Sequence, residues 1–253
     1  MHAASSPTAG GRACRGRGSM TATRSAMILA AGLGTRLLPL TAAVPKPLLE
    51  VAGKTLIAHQ LERLAGIGIE RVVINLHHLS AMLRRHLGNG HTFGLEIRYS
   101  EEPELLETAG GIYQALSLLG DEPFLLVNGD VFSDFDLANL EGLDKGILAH
   151  LLMVPKPDWQ ERGDFDLQEA DTGAHRLRLD GPGTLTYAGV ARYHPILFSN
   201  LEPGFRRLRP VLEATIAAGQ VSAQVHHGLW EDIGTLERLA ALRARLARQE
   251  APK

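Results

Sequence analysis

The sequence predicts an α/β fold in which a mostly parallel sheet is flanked by helices within a single domain. Short apolar runs bounded by turn residues alternate with segments whose apolar residues recur at helical spacing. The 253 residues are 45% hydrophobic and 21% charged, so the chain has enough apolar side chains for one large core. No internal repeat or linker divides residues 25–250, which we therefore expect to fold as one unit.

Seven apolar runs bounded by turn residues are predicted strands. They cover residues 26–29, 71–75, 96–100, 124–127, 148–154, 185–193 and 222–226. Helices are predicted between them, where apolar residues recur every three or four positions and form one face. These faces consist of Leu56, Ile57, Leu61, Leu64 and Ala65 in the first helix, Ile112, Leu116 and Leu119 in the second, and Leu236, Leu239, Leu242 and Leu246 in the last.

The N-terminal residues 1–24 differ from the rest of the chain. They are rich in Gly, Ser and Ala and contain four arginines without any apolar periodicity. We expect either a disordered tail or a misassigned start, with Met20 as the true first residue. The only cysteine, Cys14, lies in this segment, which excludes an intrachain disulfide and indicates a reducing compartment.

Charge and hydropathy exclude several classes of partner. The net charge is −2, so no basic field over the whole molecule would recruit nucleic acid or a membrane surface. No apolar run approaches the roughly 18 residues of a membrane span, and no N-terminal segment has the apolar middle of a signal peptide. We therefore expect a cytoplasmic protein that binds any anionic ligand through local charges.

The segment LAAGLGTRLLPLTAAVPKPLL, residues 29–49, follows the first predicted strand, where such folds bind ligands. Gly32 and Gly34 allow a tight turn that brings backbone N–H groups close to a phosphate, although an ordinary βα turn also explains the glycines. Arg36 and Lys46 add positive charge. The prolines on both sides of Lys46 predict that it lies on a stiff extended segment, which suits a lysine directed at phosphate.

Two common phosphate-binding motifs are excluded by counting. GLGTRL has leucine where the third glycine of a dinucleotide-binding fingerprint belongs, and AGKT at residues 52–55 has Leu48 where the first glycine of a P-loop belongs. The sequence therefore disfavours a nicotinamide oxidoreductase and a P-loop NTPase.

Polar residues follow two other predicted elements. Asp130 ends the run FLLVNGD, and at the end of a buried strand its carboxylate needs a partner such as Mg²⁺, or else it caps the next turn. Asp232 in WEDIGT precedes a helix and by itself would be read as a cap. Thr108 and Gly110 open a helix whose N–H groups could meet a nucleotide or form a simple turn, and Asn128 could bond a nucleotide or its own backbone.

These segments together resemble the sugar-1-phosphate nucleotidyltransferases, which join a nucleoside triphosphate to a sugar phosphate and release pyrophosphate. The resemblance covers residues 29–57, NGD at 128–130 and WEDIGT at 230–235. It implies the Rossmann-like nucleotide-diphospho-sugar transferase fold, with a catalytic domain over residues 25–250. It further implies that Lys46 and Arg36 act on phosphates and that Asp130 and Asp232 bind Mg²⁺. The nucleotide-binding residues it implies are Ala31, Gly32, Gly34, Thr35, Thr108, Gly110 and Asn128.

The second half departs from the commonest pattern of this family. RLDGPGTLTYAG at residues 178–189 has no lysine where many relatives have an E-K-P motif. ERGDFDL at 161–167, with LETAGG, resembles the N-acetylmuramate-1-phosphate uridylyltransferases of peptidoglycan recycling, which implies UTP and that sugar 1-phosphate as substrates. The implied sugar-binding residues are Gly163, Asp164, Tyr187 and Gly189. Candidate partners for the lactyl carboxylate of such a sugar are Arg162, Arg192 and Lys156.

Other activities stay open at this level. GTP with mannose 1-phosphate, or dTTP with glucose 1-phosphate, would use the same residues, and a nonenzymatic nucleotide sensor could share the fold. The presence of Lys46 together with two aspartates favours an enzyme. In the expected reaction an oxygen of the sugar phosphate attacks the α-phosphorus in line, so catalysis rests on positioning and charge neutralisation.

Overall fold

The computed structural model describes residues 23–168 and 175–250 of the chain. Its strands are β1 Ser25–Leu29, β2 Glu50–Val51, β3 Lys54–Thr55, β4 Arg71–Leu76, β5 Glu96–Glu101, β6 Phe124–Asn128, β7 Val131–Ser133, β8 Ala149–Pro155, β9 Asp166–Gln168, β10 His175–Arg178, β11 Leu185–Tyr193, β12 Val221–Val225 and β13 Trp230–Asp232. Its α-helices are α1 Leu40–Ala43, α2 Leu56–Gly66, α3 Ser80–Leu87, α4 Glu107–Leu119, α5 Leu208–Ala217 and α6 Leu236–Glu250. The predicted tail, including Cys14, lies almost entirely outside the described residues and stays a prediction.

The central sheet has the strand order β5-β4-β1-β6-β11-β8-β12-β10-β9. The pairs β5-β4, β4-β1, β1-β6 and β8-β12 are parallel. Strands β11 and β10 are antiparallel to both of their neighbours. All other strands of this sheet therefore run in one direction, and the predicted mostly parallel sheet is confirmed.

The middle strands β1, β4 and β6 are covered on both faces, which explains why their sequences are almost continuously apolar. Alternate residues point to opposite faces, as the two-residue period of a strand requires. Met27, Val73 and Leu126 belong to one core, whereas Ile28, Ile74 and Val127 belong to the other.

Helices cover the sheet on both sides, as predicted. Ile57 of α2 and Leu83 of α3 pack into the core that contains Ile28. Ile112 of α4 and Leu212 of α5 pack into the opposite core. Burial of these faces away from water supplies the main stabilisation of the layered arrangement.

The last helix, α6, builds a third and smaller core. Its residues Leu239 and Leu242 are buried against Leu37, Val51 and Ile233. Because Leu37 lies in the loop after β1, this contact holds the C-terminal helix beside that loop. The predicted apolar face of α6 is therefore confirmed, and it also fixes the loop that carries most of the candidate site residues.

Candidate active site

Two cavities meet at the carboxyl ends of β1 and β6. The first cavity, of about 230 Å³, is lined by residues that include Ala31, Gly32, Asn75, Glu102 and Thr108. The second cavity, of about 290 Å³, is lined by residues that include Arg36, Gln160, Thr186, Tyr187, Gly189 and Asp232. Both cavities share Asn128 and Asp130, so the two spaces adjoin at the end of β6.

The loop after β1 packs closely enough to require glycine at one position. Gly34 has a φ of +64°, and a Cβ there would lie 2.9 Å from Cγ2 of Thr41. Thr41 Oγ1 also donates a 2.8 Å hydrogen bond to the carbonyl oxygen of Gly34. Gly32 has open space around it and lines the first cavity with Ala31, whereas Thr35 is exposed and lines neither cavity.

Lys46 does not lie on an extended segment, so that prediction is wrong. It begins a short 3-10 helix, Lys46–Leu48, that follows the extended Pro45. The turn brings the side chain inward, where only 10% of it is exposed and Nζ forms an ion pair with Oδ2 of Asp130. Lysine stems tolerate burial because they are apolar, provided that the charged end finds a partner.

Asp232 reaches the same place through strand pairing. Strand β13 pairs with β7 in a register that sets Asp232 opposite Val131, the residue after Asp130. The amide of Ile233 donates a 3.0 Å hydrogen bond to the carbonyl oxygen of Asp130. Two aspartates from distant parts of the chain are thus held side by side, Asp232 at the end of β13 and Asp130 directly before β7.

The electrostatics of Asp232 reflect this crowding. Burial raises the pKa of its carboxyl above the usual range, and the nearby Asp130 carboxylate adds to the rise. Nearby cations act to lower the pKa of the same carboxyl. The nearest of them, Arg238, lies with Nη1 3.3 Å from Oδ2 of Asp232. Asp232 does not cap α6. Thr235 caps this helix, because its Oγ1 accepts a 3.3 Å hydrogen bond from the backbone amide of Arg238.

The aspartate pair fits a divalent cation of the magnesium type. Two carboxylates of like charge repel each other, and a cation between them relieves both the repulsion and the burial. Within residues 23–168 and 175–250, no group of three or more His, Cys, Asp or Glu side chains could hold a metal ion. A Mg²⁺ at Asp130 and Asp232 would therefore take its remaining ligands from water and substrate oxygens, as this ion commonly does.

A buried polar network that the sequence did not reveal borders the first cavity. Asn75 Oδ1 accepts a 2.7 Å hydrogen bond from the amide of Ala30, and Asn75 Nδ2 donates a 2.7 Å hydrogen bond to Oε1 of Glu102. Glu102 Oε2 in turn accepts from the amide of Leu106 at 3.1 Å. Burial raises the pKa of the Glu102 carboxyl. The network ties the loop after β1 to the start of α4, across the floor of the first cavity.

The start of α4 behaves differently from the prediction at one position. Thr108 lines the first cavity. Gly110 does not line this cavity. Its backbone amide donates a 3.2 Å hydrogen bond to the carbonyl oxygen of Arg206. A Cβ at Gly110 would lie 2.3 Å from the carbonyl oxygen of Gly204. Gly110 is thus required by close backbone packing, and its contact with a nucleotide stays a prediction.

Asn128 joins the two cavities and carries an unsatisfied acceptor. Its Oδ1 is buried and has no hydrogen-bond partner in the described part of the chain. Gly189, with a φ of +71°, approaches it from β11, and a Cβ there would lie 2.6 Å from Asn128 Nδ2. Because an unpaired buried acceptor is unfavourable by about 1–3 kcal/mol, a donor on a bound ligand is a natural partner for this atom.

Two of the predicted sugar residues lie away from the second cavity. Gly163 is buried, and a Cβ there would lie 2.5 Å from the carbonyl oxygen of Leu185. Asp164 Oδ2 accepts a 2.9 Å hydrogen bond from the amide of Tyr187, and its Oδ1 lies 3.3 Å from Nη1 of Arg209. Both residues fasten their loop to β11, and their contact with a sugar stays a prediction. Tyr187 lines the second cavity.

None of the three predicted partners of a lactyl carboxylate lines either cavity. Lys156 Nζ donates a 2.7 Å hydrogen bond to the carbonyl oxygen of Gln160, and Arg162 Nη2 donates one of 2.7 Å to that of Gly181. Arg192 lies at the other end of β11, where it contacts the carbonyl oxygens of Leu140 and Glu141. These cations are bound to backbone groups, and their contact with a lactyl carboxylate stays a prediction.

Two neighbouring side chains were missed by the sequence analysis. Trp159 is 50% exposed and lines the second cavity. Its ring lies 4.1 Å from the guanidinium carbon of Arg238, which also contacts Asp232. A cation over an indole face is attracted to the ring quadrupole, so Trp159 links the cavity wall to the aspartate pair. Arg36 lies on this side too, at the second cavity.

Comparisons with known proteins agree with this arrangement. A family model described as nucleotidyl transferase matches residues 25–145. The N-acetylmuramate alpha-1-phosphate uridylyltransferase of Neisseria meningitidis serogroup B is 45% identical over 225 residues, which cover 87% of this chain and 96% of that relative. The chain belongs to the sugar-1-phosphate nucleotidyltransferase family. The predicted resemblance and the prediction of an enzyme are therefore confirmed.

Two further matches place this nucleotidyltransferase among its relatives. The protein of the same description from Caulobacter vibrioides is 35% identical over 89% of this chain and 98% of its own length. A crystal structure from Bacillus anthracis, described as that of a putative glucose-1-phosphate thymidylyltransferase in complex with a sucrose, has a TM-score of 0.77 and 22% identity, covering 92% of this chain and 98% of that chain. The structural likeness confirms the predicted fold of the nucleotidyltransferase.

In the described part of the nucleotidyltransferase, no helix has the length and apolar composition needed to cross a membrane.

Proposed function

We propose that this nucleotidyltransferase transfers a uridylyl group from UTP to N-acetylmuramate α-1-phosphate, giving UDP-N-acetylmuramate and pyrophosphate. The observation that carries the proposal is the cluster of Lys46, Asp130 and Asp232 at the junction of two cavities that share Asn128. Two substrates with adjoining anionic groups need this arrangement. The two relatives described as N-acetylmuramate alpha-1-phosphate uridylyltransferases support the choice of base and sugar.

The first cavity would hold the nucleotide. The loop residues Ala31 and Gly32 and the start of α4 at Thr108 border it, and their backbone N–H groups suit phosphate and base oxygens. Asn128 would meet the nucleotide at the boundary between the cavities. The second cavity would hold the sugar phosphate against Tyr187 and Gly189 of β11.

The chain's residues would act by position and charge. An oxygen of the sugar phosphate, already ionised, attacks the α-phosphorus of UTP as the bond to the bridging oxygen of pyrophosphate breaks, so the electron pair leaves with pyrophosphate. Lys46 would offset the repulsion between the two anions from a fixed position, and Arg36 would neutralise charge on the transferring phosphates. Because these groups are oriented before reaction, little reorganisation is needed.

The proposal includes Mg²⁺ at Asp130 and Asp232. When bound, this ion supplies charge neutralisation at the phosphate oxygens. The two carboxylates would hold it in an orientation that β7 and β13 set, with Arg238 and Lys46 limiting their motion. We further propose that the protein works in the cytoplasm, where UTP is made, in the reuse of cell-wall sugars.

The test is pyrophosphate release by the purified protein with Mg²⁺. UTP, dTTP, GTP and CTP are each combined with the 1-phosphates of N-acetylmuramate, N-acetylglucosamine, glucose and mannose. We expect turnover with UTP and N-acetylmuramate 1-phosphate at least tenfold above any other pair. A preference for GTP with mannose 1-phosphate, or for dTTP with glucose 1-phosphate, would keep the chemistry and overturn the substrates. Absence of turnover with every pair would favour the nucleotide sensor.

A further inference from the structure

The loop between β8 and β9 places one uncommitted amide on the wall of the second cavity. We propose that Gln160 is a specificity-determining residue, whose side-chain N–H group donates to an acyl oxygen of the bound sugar. Such oxygens are the acetamido carbonyl at C2 and the lactyl carboxylate at C3 of N-acetylmuramate. The inference rests on the proposed function, because it concerns the sugar that the second cavity holds.

The orientation of the Gln160 amide is set by its neighbour on β11. Thr186 Oγ1 donates a 2.7 Å hydrogen bond to Oε1 of Gln160, and Thr186 is buried. The amide oxygen is therefore occupied. The amide nitrogen has no acceptor within the residues that the structure describes, so both of its hydrogens are available to a ligand.

The backbone that carries Gln160 is also held in place. The backbone N–H group of Gln160 donates a 3.0 Å hydrogen bond to the carbonyl oxygen of Pro157. The backbone carbonyl oxygen of Gln160 accepts a 2.7 Å hydrogen bond from Lys156 Nζ. The preceding residue, Trp159, stacks on Arg238 of α6 at 4.1 Å. A donor fixed at three points loses little conformational freedom when it binds a ligand.

Two other polar side chains of this wall already have neighbours of their own. Trp230 Nε1 donates a 2.9 Å hydrogen bond to the carbonyl oxygen of Ala188, and the Tyr187 hydroxyl lies 3.4 Å from that of Tyr193. The carboxylates at the junction would repel a sugar carboxylate rather than bind it. The neutral, preoriented N–H donor of Gln160 suits an acyl oxygen, which accepts hydrogen bonds but donates none.

The test replaces Gln160 by leucine, which keeps the approximate volume and removes the donor. For Gln160→Leu we expect kcat/KM with N-acetylmuramate 1-phosphate to fall about five- to tenfold, through a higher KM for that sugar. The KM for UTP and the low rate with glucose 1-phosphate should change less than twofold. If N-acetylglucosamine 1-phosphate shows the same fall, the acetamido oxygen is the acceptor; if it does not, the lactyl carboxylate is.

Two further variants separate recognition from folding. Thr186→Val removes only the hydrogen bond that orients the amide, and we expect a smaller loss with the same substrate pattern. Gln114→Leu is the matched control, because Gln114 is exposed on α4 and lines neither cavity. Melting temperatures of all variants should lie close to that of the wild-type protein. An equal fall of kcat/KM for acylated and unacylated sugars in Gln160→Leu would overturn the proposal.

Calorimetric binding of UDP-N-acetylmuramate and UDP-glucose makes the test independent of turnover. We expect the wild-type protein to prefer UDP-N-acetylmuramate and Gln160→Leu to reduce that preference about five- to tenfold. If no pair of substrates turns over, the proposed reaction fails, but this binding difference still supports the assignment of Gln160. Equal binding of the two sugar nucleotides by the wild-type protein, or no binding of either, would overturn it.

Discussion

Replacing Lys46 by methionine removes one buried charge and keeps an apolar stem of similar length. The lysine side chain is 10% exposed and its Nζ pairs with Asp130, whose carboxyl side chain is 33% exposed. In the proposed reaction this charge also faces the phosphates of both substrates. The substitution therefore tests whether the buried ion pair serves catalysis or only stability.

The effect on stability should be modest. After the substitution Asp130 can still be hydrated, because a third of its side chain is exposed. We expect a loss of about 1–2 kcal/mol in the free energy of unfolding, below the 3–5 kcal/mol that follows when a fully buried pair is broken. For a domain of this size that loss lowers the melting temperature by roughly 2–8 °C, so the protein stays folded at 25 °C.

The effect on turnover should be much larger. Removing one preorganised electrostatic contact to a reacting group lowers kcat by about 10²- to 10³-fold, which corresponds to about 2.7–4 kcal/mol. The assay is pyrophosphate release with UTP and N-acetylmuramate 1-phosphate, together with thermal unfolding. Asp130→Asn should also lower the rate at least about 10²-fold.

A second lysine supplies the control. Lys54 pairs with Glu62 at 2.7 Å, but the two side chains are 51% and 46% exposed. Exposed pairs contribute about 0–1 kcal/mol, so Lys54→Met should leave both stability and turnover nearly unchanged. Turnover by Lys46→Met within threefold of the wild-type rate, or an equal loss in Lys54→Met, would refute the reasoning.

Three further predictions address backbone geometry, metal binding and pH. Gly189→Ala should lower the melting temperature and turnover more than Gly94→Ala does. Both sites have φ near +70°, but only an alanine at 189 would collide with Asn128. Equal effects of the two substitutions would contradict this prediction. Chelation of divalent ions should abolish turnover. Asp232→Asn should raise the Mg²⁺ concentration needed for half-maximal rate at least about tenfold, because one of two carboxylate ligands is lost. An unchanged Mg²⁺ requirement would count against the metal site. Burial lowers the pKa of His150 below its usual value, so the unfolded state binds more protons and stability falls as pH drops below about 6.5. Chemical denaturation at pH 7 and 5.5 should show a smaller loss in His150→Gln than in the wild-type protein.

The sequence predicted the strands correctly where the local pattern of side chains decides the secondary structure. Residues 185–193 are mostly apolar along β11, and the predicted and observed strands coincide. Residues 148–154 and 222–226 were shifted by one position from Ala149–Pro155 and Val221–Val225, because the ends of a strand depend on its partners. Strands of two to four residues, such as β7 and β13, are too short to show a period.

Contacts between distant segments explain what the sequence analysis missed. Gly110, Gly163 and Asp164 stood in motifs associated with ligands, yet their surroundings are filled by Gly204, Leu185 and the amide of Tyr187. Asn75 and Glu102 were overlooked because nothing near either residue in the chain reveals their hydrogen bond. The residue types of a loop do not specify which other loop will pack against it.

By itself, the sequence determined the sheet, the two layers of helices and the family, because each follows from patterns within a few tens of residues. Through the resemblance it also implied that Asp130 and Asp232 bind Mg²⁺ and that Lys46 acts on phosphates, without the contacts that bring the three together. Only the tertiary structure decided how these three groups meet, through the turn at Lys46–Leu48 and the pairing of β13 with β7. The physical reason is that the direction of a side chain and the burial of its charge are set by neighbours far away in the chain.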